Sequence, residues 1–200
     1  MKLLLGTTNP GKIADLKKYL VHANLELLTL KDIGFWDEPL EIGKTYEENA
    51  IQKAKFYAEQ TEYPTLSDDG GFEVDALDGR PGVESRRWVG PNGTDQDRLD
   101  KLFKLMEGVS PERRAARLRT VTAVYFPQER ELIMVEEKIE GIVPLEPSEV
   151  MIPAFPYRSA LFISLYNKCY SEFSSEEHEA VNHRAQACRE LLLKLEPWLS

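Results

Sequence analysis

The chain has 200 residues, 42% hydrophobic and 30% charged, enough for one sizeable core or one core in two lobes. A formal net charge of -9 excludes a general nucleic-acid surface, which needs a basic field to displace counterions. It leaves room for a small polyanion held locally by a few cations, backbone N–H groups and a metal.

No apolar run approaches the roughly 20 residues that span a bilayer, so no membrane segment is expected. Met1–Gly6 reads as a buried strand rather than a signal peptide. The two cysteines, Cys169 and Cys188, form no close pair of the zinc-binding kind and read as reduced thiols of a cytoplasmic protein.

Lys2 to Gly6 is a short apolar run of the kind expected in a central strand, and Thr7–Gly11 is turn chemistry. From Lys12 onward Ile13, Leu16 and Leu20 recur at helical spacing, and Leu25 to Leu30 is a second strand. This strand–helix–strand opening points to an α/β sheet covered by helices. Thr45 and Glu48 predict a capping box, opening a helix to about Gln60 with Ala50, Ala54, Tyr57 and Ala58 inward. Thr65–Ser67 predicts a strand that ends at Asp68-Asp69-Gly70-Gly71, before a polar loop over 75–93.

Thr94 caps a helix to Met106, with Leu99, Leu102, Phe103 and Met106 on one face. Leu118–Phe126 and Leu132–Ile139 predict a hairpin turning near Pro127-Gln128, and four prolines between 144 and 156 mark irregular chain. Asn182 predicts the N-cap of a last helix with Ala187, Leu191, Leu192 and Leu195 toward the core. No repeat, low-complexity tract or linker marks a domain boundary, so 1–200 reads as a single domain.

Four segments carry residue types suited to phosphate chemistry. Gly6 to Lys12 has the glycine and lysine spacing of a P-loop, but Ile13 stands where Ser or Thr would hold Mg²⁺. It fits either an anion cradle at a helix N-terminus or a plain capped turn. Asp68-Asp69 offers adjacent carboxylates, which repel unless a cation lies beside them, or else a surface turn. Glu41 precedes a helix on which Asn49 and Lys53 share a face, as a site or a solvated surface would have it. Asn182-His183-Arg184 places an imidazole and a guanidinium at a helix start.

Taken in chain order, these segments resemble the inosine triphosphate pyrophosphatase family. The matching positions are Thr7, Asn9 and Lys12; Glu41; Glu48-Asn49-Ala50 with Lys53-Ala54; Asp68-Asp69 with Gly71; Pro81-Gly82-Val83 with Ser85 and Arg87; and His183-Arg184. The resemblance is dense from Lys2 to about Met106 and thin thereafter, where mainly Gly141, Phe155, Tyr157 and His183-Arg184 match. It implies an α/β fold with an elongated central mixed β-sheet flanked by helices, in two lobes with a cleft between, usually as a homodimer. It implies hydrolysis of non-standard purine triphosphates, such as inosine and xanthosine triphosphate, to monophosphate and pyrophosphate with Mg²⁺.

Carried over by position, Thr7, Thr8, Asn9 and Lys12 hold the triphosphate with Lys53 and Asn49. Glu41, Asp68 and Asp69 hold the metal, and Asp69 orients or deprotonates water. His183 and Arg184 contact the base. Phe155, Tyr157, Arg158 and His178 occupy base-side positions. The chain departs from the family there: Arg158 stands for Asp, His178 for Lys and Asn182 for Ser. Gly70 replaces a substrate-touching Ser, and Glu84 a Tyr. The phosphate machinery is expected intact and base preference altered. A non-catalytic nucleotide-binding protein on the same fold is the competing reading, though it would have no need of Glu41, Asp68 and Asp69 together.

Overall fold

The computed structural model of the chain describes residues 1–199. Its main elements are β1 (Lys2–Leu5), α1 (Pro10–Tyr19), β2 (Glu26–Thr29), α2 (Tyr46–Thr61), β3 (Thr65–Val74) and α3 (Asp95–Leu105), followed by β4 (Ala115–Phe126), β5 (Glu131–Ile142), β6 (Phe162–Ile163), β7 (Lys168–Cys169), α4 (Ser175–Val181) and α5 (His183–Leu199). Among the described residues seven strands make one sheet in the order β2-β1-β3-β4-β5-β6-β7. It is mixed: β1 runs parallel to β2 and β3, while β6 is antiparallel to β5 and β7. The fold is α/β, as the opening pattern implied. No described helix is long and apolar enough to cross a membrane.

The chain forms two compact units. The first comprises Met1–Asp69, Thr120–Glu137 and the chain from His183 onward; the second comprises Gly70–Arg119 and Lys138–Asn182. In the first, β1 is buried on both faces. Leu3 and Leu5 pack with Leu16 of α1 and with Ala187, Leu191 and Leu195 of α5, while Leu4 joins Leu30 and Tyr57. This explains why β1 reads as an unbroken apolar run instead of an alternating one. In the second unit, Phe72, Val74, Leu99, Leu102, Met106, Val143, Leu161 and Tyr170 share a core.

Three local expectations change. Strand β3 does not end at Ser67 but runs to Val74, so Asp68 and Asp69 lie within a strand. Helix α1 begins at Pro10, not Lys12, because Asn9 caps it and proline suits its first position. Thr45 accepts from Glu48 N as expected, but the Glu48 carboxylate accepts from Lys44 N and not from the cap's own N–H. Full capping boxes form at Thr94–Asp97 and Ser174–Glu177, the second opening α4, a helix the sequence pattern did not announce.

Gly6 joins β1 to the loop before α1 at a point with no room for a side chain. A Cβ there would lie 2.4 Å from Ser67 Oγ and 2.7 Å from the Tyr57 ring. Gly6→Ala is expected to lower unfolding free energy by about 1–3 kcal/mol, the usual cost of overpacking. Denaturant titration of the two proteins checks this; equal stability would show that the strands part freely here.

Candidate active site

The first unit gathers Lys12, Glu41, Asn49, Lys53, Asp68, Asp69 and Arg184, and strand parity decides what each carboxylate meets. Successive side chains of β3 point to opposite faces. Leu66 packs against the α1 and α5 layer, and Asp68 follows it onto that face. There Lys12 Nζ is 3.1 Å from Asp68 Oδ1, and Arg184 Nε and Nη2 lie 3.4 and 3.3 Å from Oδ2. The Lys12 contact is an ion pair without hydrogen-bonding alignment, so Oδ1 is buried without a hydrogen bond. Arg184 Nη1 donates to Asp15 Oδ2 at 3.0 Å.

Asp69 points to the other face, toward α2. Asn49 Nδ2 donates to its Oδ2 at 3.0 Å, and Lys53 Nζ lies 3.6 Å from its Oδ1. Lys53 Nζ also donates to Glu41 Oε1 at 2.9 Å, so two carboxylates from distant segments meet at one cation. The Asp68 carbonyl oxygen joins the faces, accepting from Lys53 Nζ at 2.9 Å and Lys12 Nζ at 3.2 Å.

The segment that brings Glu41 in is tied down along its length. Thr8 Oγ1 donates to Glu38 at 2.8 Å, Gln52 Nε2 to the Leu40 carbonyl at 2.9 Å, and Gly43 N to Asn49 Oδ1 at 2.9 Å. Before α1, Asn9 Oδ1 accepts from Gly11 N and Lys12 N, and Thr7 Oγ1 accepts from Asn9 N. The segment is thus a capped turn whose side chains accept from its own N–H groups.

These surroundings drive the two carboxyls apart. Burial alone would raise Asp68, but Lys12, Arg184 and Lys53 outweigh it and hold the group well below the usual carboxylate range. Burial dominates at Asp69 and, with help from Glu41, lifts it above its ordinary value against the pull of Lys53, Lys12 and the Asn49 hydrogen bond. Desolvation lowers Lys12 despite Asp68; at Lys53 the opposing desolvation is overcome by Asp69, Asp68 and Glu41, and the group is raised.

The donor set around Lys53 Nζ, two carboxylates and a carbonyl oxygen, is the hard oxygen chemistry that suits a small divalent cation. Among the described residues no three Asp, Glu, His or Cys side chains form a closed metal cage. Magnesium needs none, since one or two carboxylates plus substrate phosphates hold it. The residues present fit such an ion.

His183 and Arg184 begin α5 and are both buried, and the Arg184 guanidinium is engaged by Asp68 and Asp15. The other residues that the resemblance put on the base side, Phe155, Tyr157, Arg158 and His178, belong to the second unit. There the Arg158 guanidinium lies over the Phe155 ring at 4.2 Å and the Tyr170 ring at 5.2 Å, and Tyr170 stacks on His178 with centroids 4.9 Å apart. Tyr157 is core: it stacks on Phe72, and its hydroxyl donates to the Ser85 carbonyl at 3.0 Å. Gly70 continues β3.

Sequence reading missed Asp15, Glu38, Thr120, whose Oγ1 donates to the Asp69 carbonyl at 3.4 Å, and Tyr170. Asp15 was findable, since it lies three residues after Lys12 and shares its helical face. Nothing near Glu38 or Tyr170 in sequence marks either one.

Asp68→Asn would leave Lys12 and Arg184 buried beside a neutral amide, which is expected to cost about 3–5 kcal/mol of stability. The pH dependence follows from the depressed pKa of Asp68. Its stabilisation is complete above the unfolded carboxylate pKa and fades as acid titrates the folded group, below about pH 5. Unfolding curves from pH 7 downward should show a shallower acid decline in the variant than in the wild type; matching slopes would remove Asp68 from this role.

Comparison with known proteins finds relatives over nearly the whole chain. A model of the Ham1 family matches residues 3–194. The chain is 36% identical over 193 residues to the dITP/XTP pyrophosphatase of Bacillus subtilis (strain 168), covering 96% of each. It is 36% identical over 191 residues to that of Thermoanaerobacter pseudethanolicus, covering 96% of this chain and 94% of the other. Among solved structures, a HAM1 protein from Coxiella burnetii superposes with a TM-score of 0.89 at 28% identity, covering 98% and 99% of the two chains. The nucleoside-triphosphatase / dITP/XTP pyrophosphatase of Mycobacterium abscessus gives 0.80 at 32% identity, covering 96% and 99%. With a family match over nearly its whole length and relatives above 30% identity, the chain belongs to the Ham1 family.

Proposed function

We propose that this chain is a nucleoside triphosphate pyrophosphatase that cuts between the α- and β-phosphates. The supporting observation is that Glu41 and Asp69, from separate segments, meet one cation while Lys12 stands 3.2 Å from the adjoining Asp68 carbonyl. A divalent ion, magnesium in this reading, is held by Glu41 and Asp69; when bound it neutralises phosphate charge and acidifies water. Asp68 is enclosed by Lys12 and Arg184 and serves the ion only through the field it helps to set.

The chain's own residues carry the rest. Lys12 and Lys53 place positive charge against the triphosphate, where preorganised charge counts most. Thr7, Thr8 and Asn9 exchange their internal hydrogen bonds for phosphate oxygens. Asp69, whose pKa burial raises above its ordinary value, takes the proton of the attacking water as general base. The water oxygen bonds to the α-phosphorus, the α–β bridging bond breaks, and its electron pair leaves with pyrophosphate. A catalytic site needs acidic side chains beside the lysines to activate water, and Glu41 and Asp69 supply them, which is why the catalytic reading is preferred.

The substrates named for the relatives, dITP and XTP, are the first candidates here. We place the enzyme in the cytoplasm, where its two free cysteines stay reduced. The resemblance supports action as one domain and as a homodimer. Base preference is altered where Arg158 and His178 each pack on Tyr170, since a buried guanidinium in place of a carboxylate changes both charge and shape.

With Mg²⁺, inosine and xanthosine triphosphates should release pyrophosphate; orthophosphate instead would refute cleavage at the α-phosphorus. Asp69→Asn is expected to cut kcat by about 100-fold or more, in the range of general-base loss, with nucleotide affinity nearly unchanged. An unaffected rate removes Asp69 from the chemistry. Arg158→Asp combined with His178→Lys should raise relative kcat/KM for inosine triphosphate over the wild type's preferred base. The same ratio in both proteins would mean those positions do not read the base.

A further inference from the structure

Asn49 is 1% exposed on α2, four residues before Lys53, and its amide is used at both ends. Oδ1 accepts the Gly43 N–H at 2.9 Å, and Nδ2 donates to Asp69 Oδ2 at 3.0 Å. The orientation is fixed by chemistry: the backbone N–H can only donate, so it faces Oδ1 and leaves Nδ2 to donate to Asp69. Gly43 lies two residues beyond Glu41, so one rigid amide spans the two segments that supply the acidic groups. It also takes Oδ2 of Asp69 and leaves Oδ1 facing Lys53 Nζ at 3.6 Å, the cation that Glu41 contacts at 2.9 Å.

A second observation points the same way from the other end. A Cβ on Gly43 would lie 2.5 Å from Asn49 Oδ1, 2.9 Å from Glu48 Cβ and 3.0 Å from Asn49 Cγ. The Glu41 segment reaches the amide only because residue 43 has no side chain. The φ of Gly43 is not in the left-handed region, so close approach is the one demand placed on it.

We propose that Asn49 is a positioning residue whose amide sets the register between the Glu41 segment and strand β3, so that Glu41 and Asp69 present oxygens to the same cation. It acts through Gly43 and Asp69 and does not bind substrate itself, which revises the substrate-binding role the resemblance gave it. This rests on the pyrophosphatase reading of the same site. The physical need is clear. An Asp carboxyl turns through a broad two-fold well, so without a fixed partner on Oδ2 its Oδ1 wanders. Displacements near 1 Å at a reacting centre cost about 100-fold in rate.

Asn49→Asp keeps the acceptor for Gly43 but removes the donor to Asp69 without opening a cavity. Gly43→Ala disturbs the same amide from the other side. Each should lower kcat for inosine triphosphate by about 10- to 100-fold with KM within about threefold, as lost alignment does. The double variant should fall far short of the product of the two losses, because both break one linkage. In protein free of metal and nucleotide, Asn49→Ala should speed hydrogen exchange at the Gly43 amide by at least about tenfold, as loss of its acceptor requires.

A raised KM at unchanged kcat would make Asn49 a substrate ligand and overturn the proposal. So would independent, multiplying losses, or unchanged Gly43 exchange. If the wild type releases no pyrophosphate from any triphosphate, the functional reading fails instead, and the exchange measurement alone still decides whether the linkage exists.

Discussion

The site depends on one buried carboxylate. Asp68 is out of reach of water, with Lys12 and Arg184 on its side chain and Lys12 and Lys53 on its carbonyl oxygen. Burying a lone carboxylate costs several kcal/mol, so the group is tolerable only with these cations in place. The cations in turn come from α1, α2 and α5, so three helices are fixed to one point of β3 by charge. Asp15 takes part of the Arg184 charge on its outer side, while the two ammonium groups stay turned inward beside β3. A chain with net charge -9 thereby still holds three cations, Lys12, Lys53 and Arg184, close together by pairing each with carboxylates, and these act at short range whatever the net charge.

Strand parity gives the two neighbouring aspartates different work. Had β3 stopped at Ser67, both carboxyls would sit in one loop and repel. Because it continues, Asp68 enters the α1 and α5 face and Asp69 the α2 face. Their pKa values are pushed in opposite directions, Asp68 below its ordinary range and Asp69 above. Titratable neighbours driven apart in this way are what the proposed reading needs for an anchor and a base. The charge of Asp68 organises the lysines around it.

How much of this was legible depends on the range of the physics. The β1 run, the caps at Thr45 and Thr94, and the Ala50, Ala54, Tyr57, Ala58 face of α2 are set within a few residues and were readable. The meeting of Glu41 with Asp69 was reached only by resemblance, since no local pattern links residues 28 apart in the chain. Glu38 and Thr120 could not be found at all, because each is defined by a partner that only the fold supplies. The error at β3 has a plain cause: Gly70-Gly71 after two aspartates looks like a turn, yet β3 carries it because the sheet pairs the backbone on through residue 74.

The two groups of candidate residues also differ in kind. In the proposed reading phosphate and metal are handled by charge at hydrogen-bonding distance, through Lys12, Glu41, Lys53 and Asp69. Those residues all belong to the first unit. Arg158, Tyr170 and His178 belong to the second, where contact is ring against ring or ring against guanidinium. The Arg158 guanidinium is held by ring faces and not by a carboxylate, so an Asp at that position loses both the charge and the planar contact. An exchange of Asp for Arg158 and Lys for His178 therefore rebuilds one contact surface within the second unit.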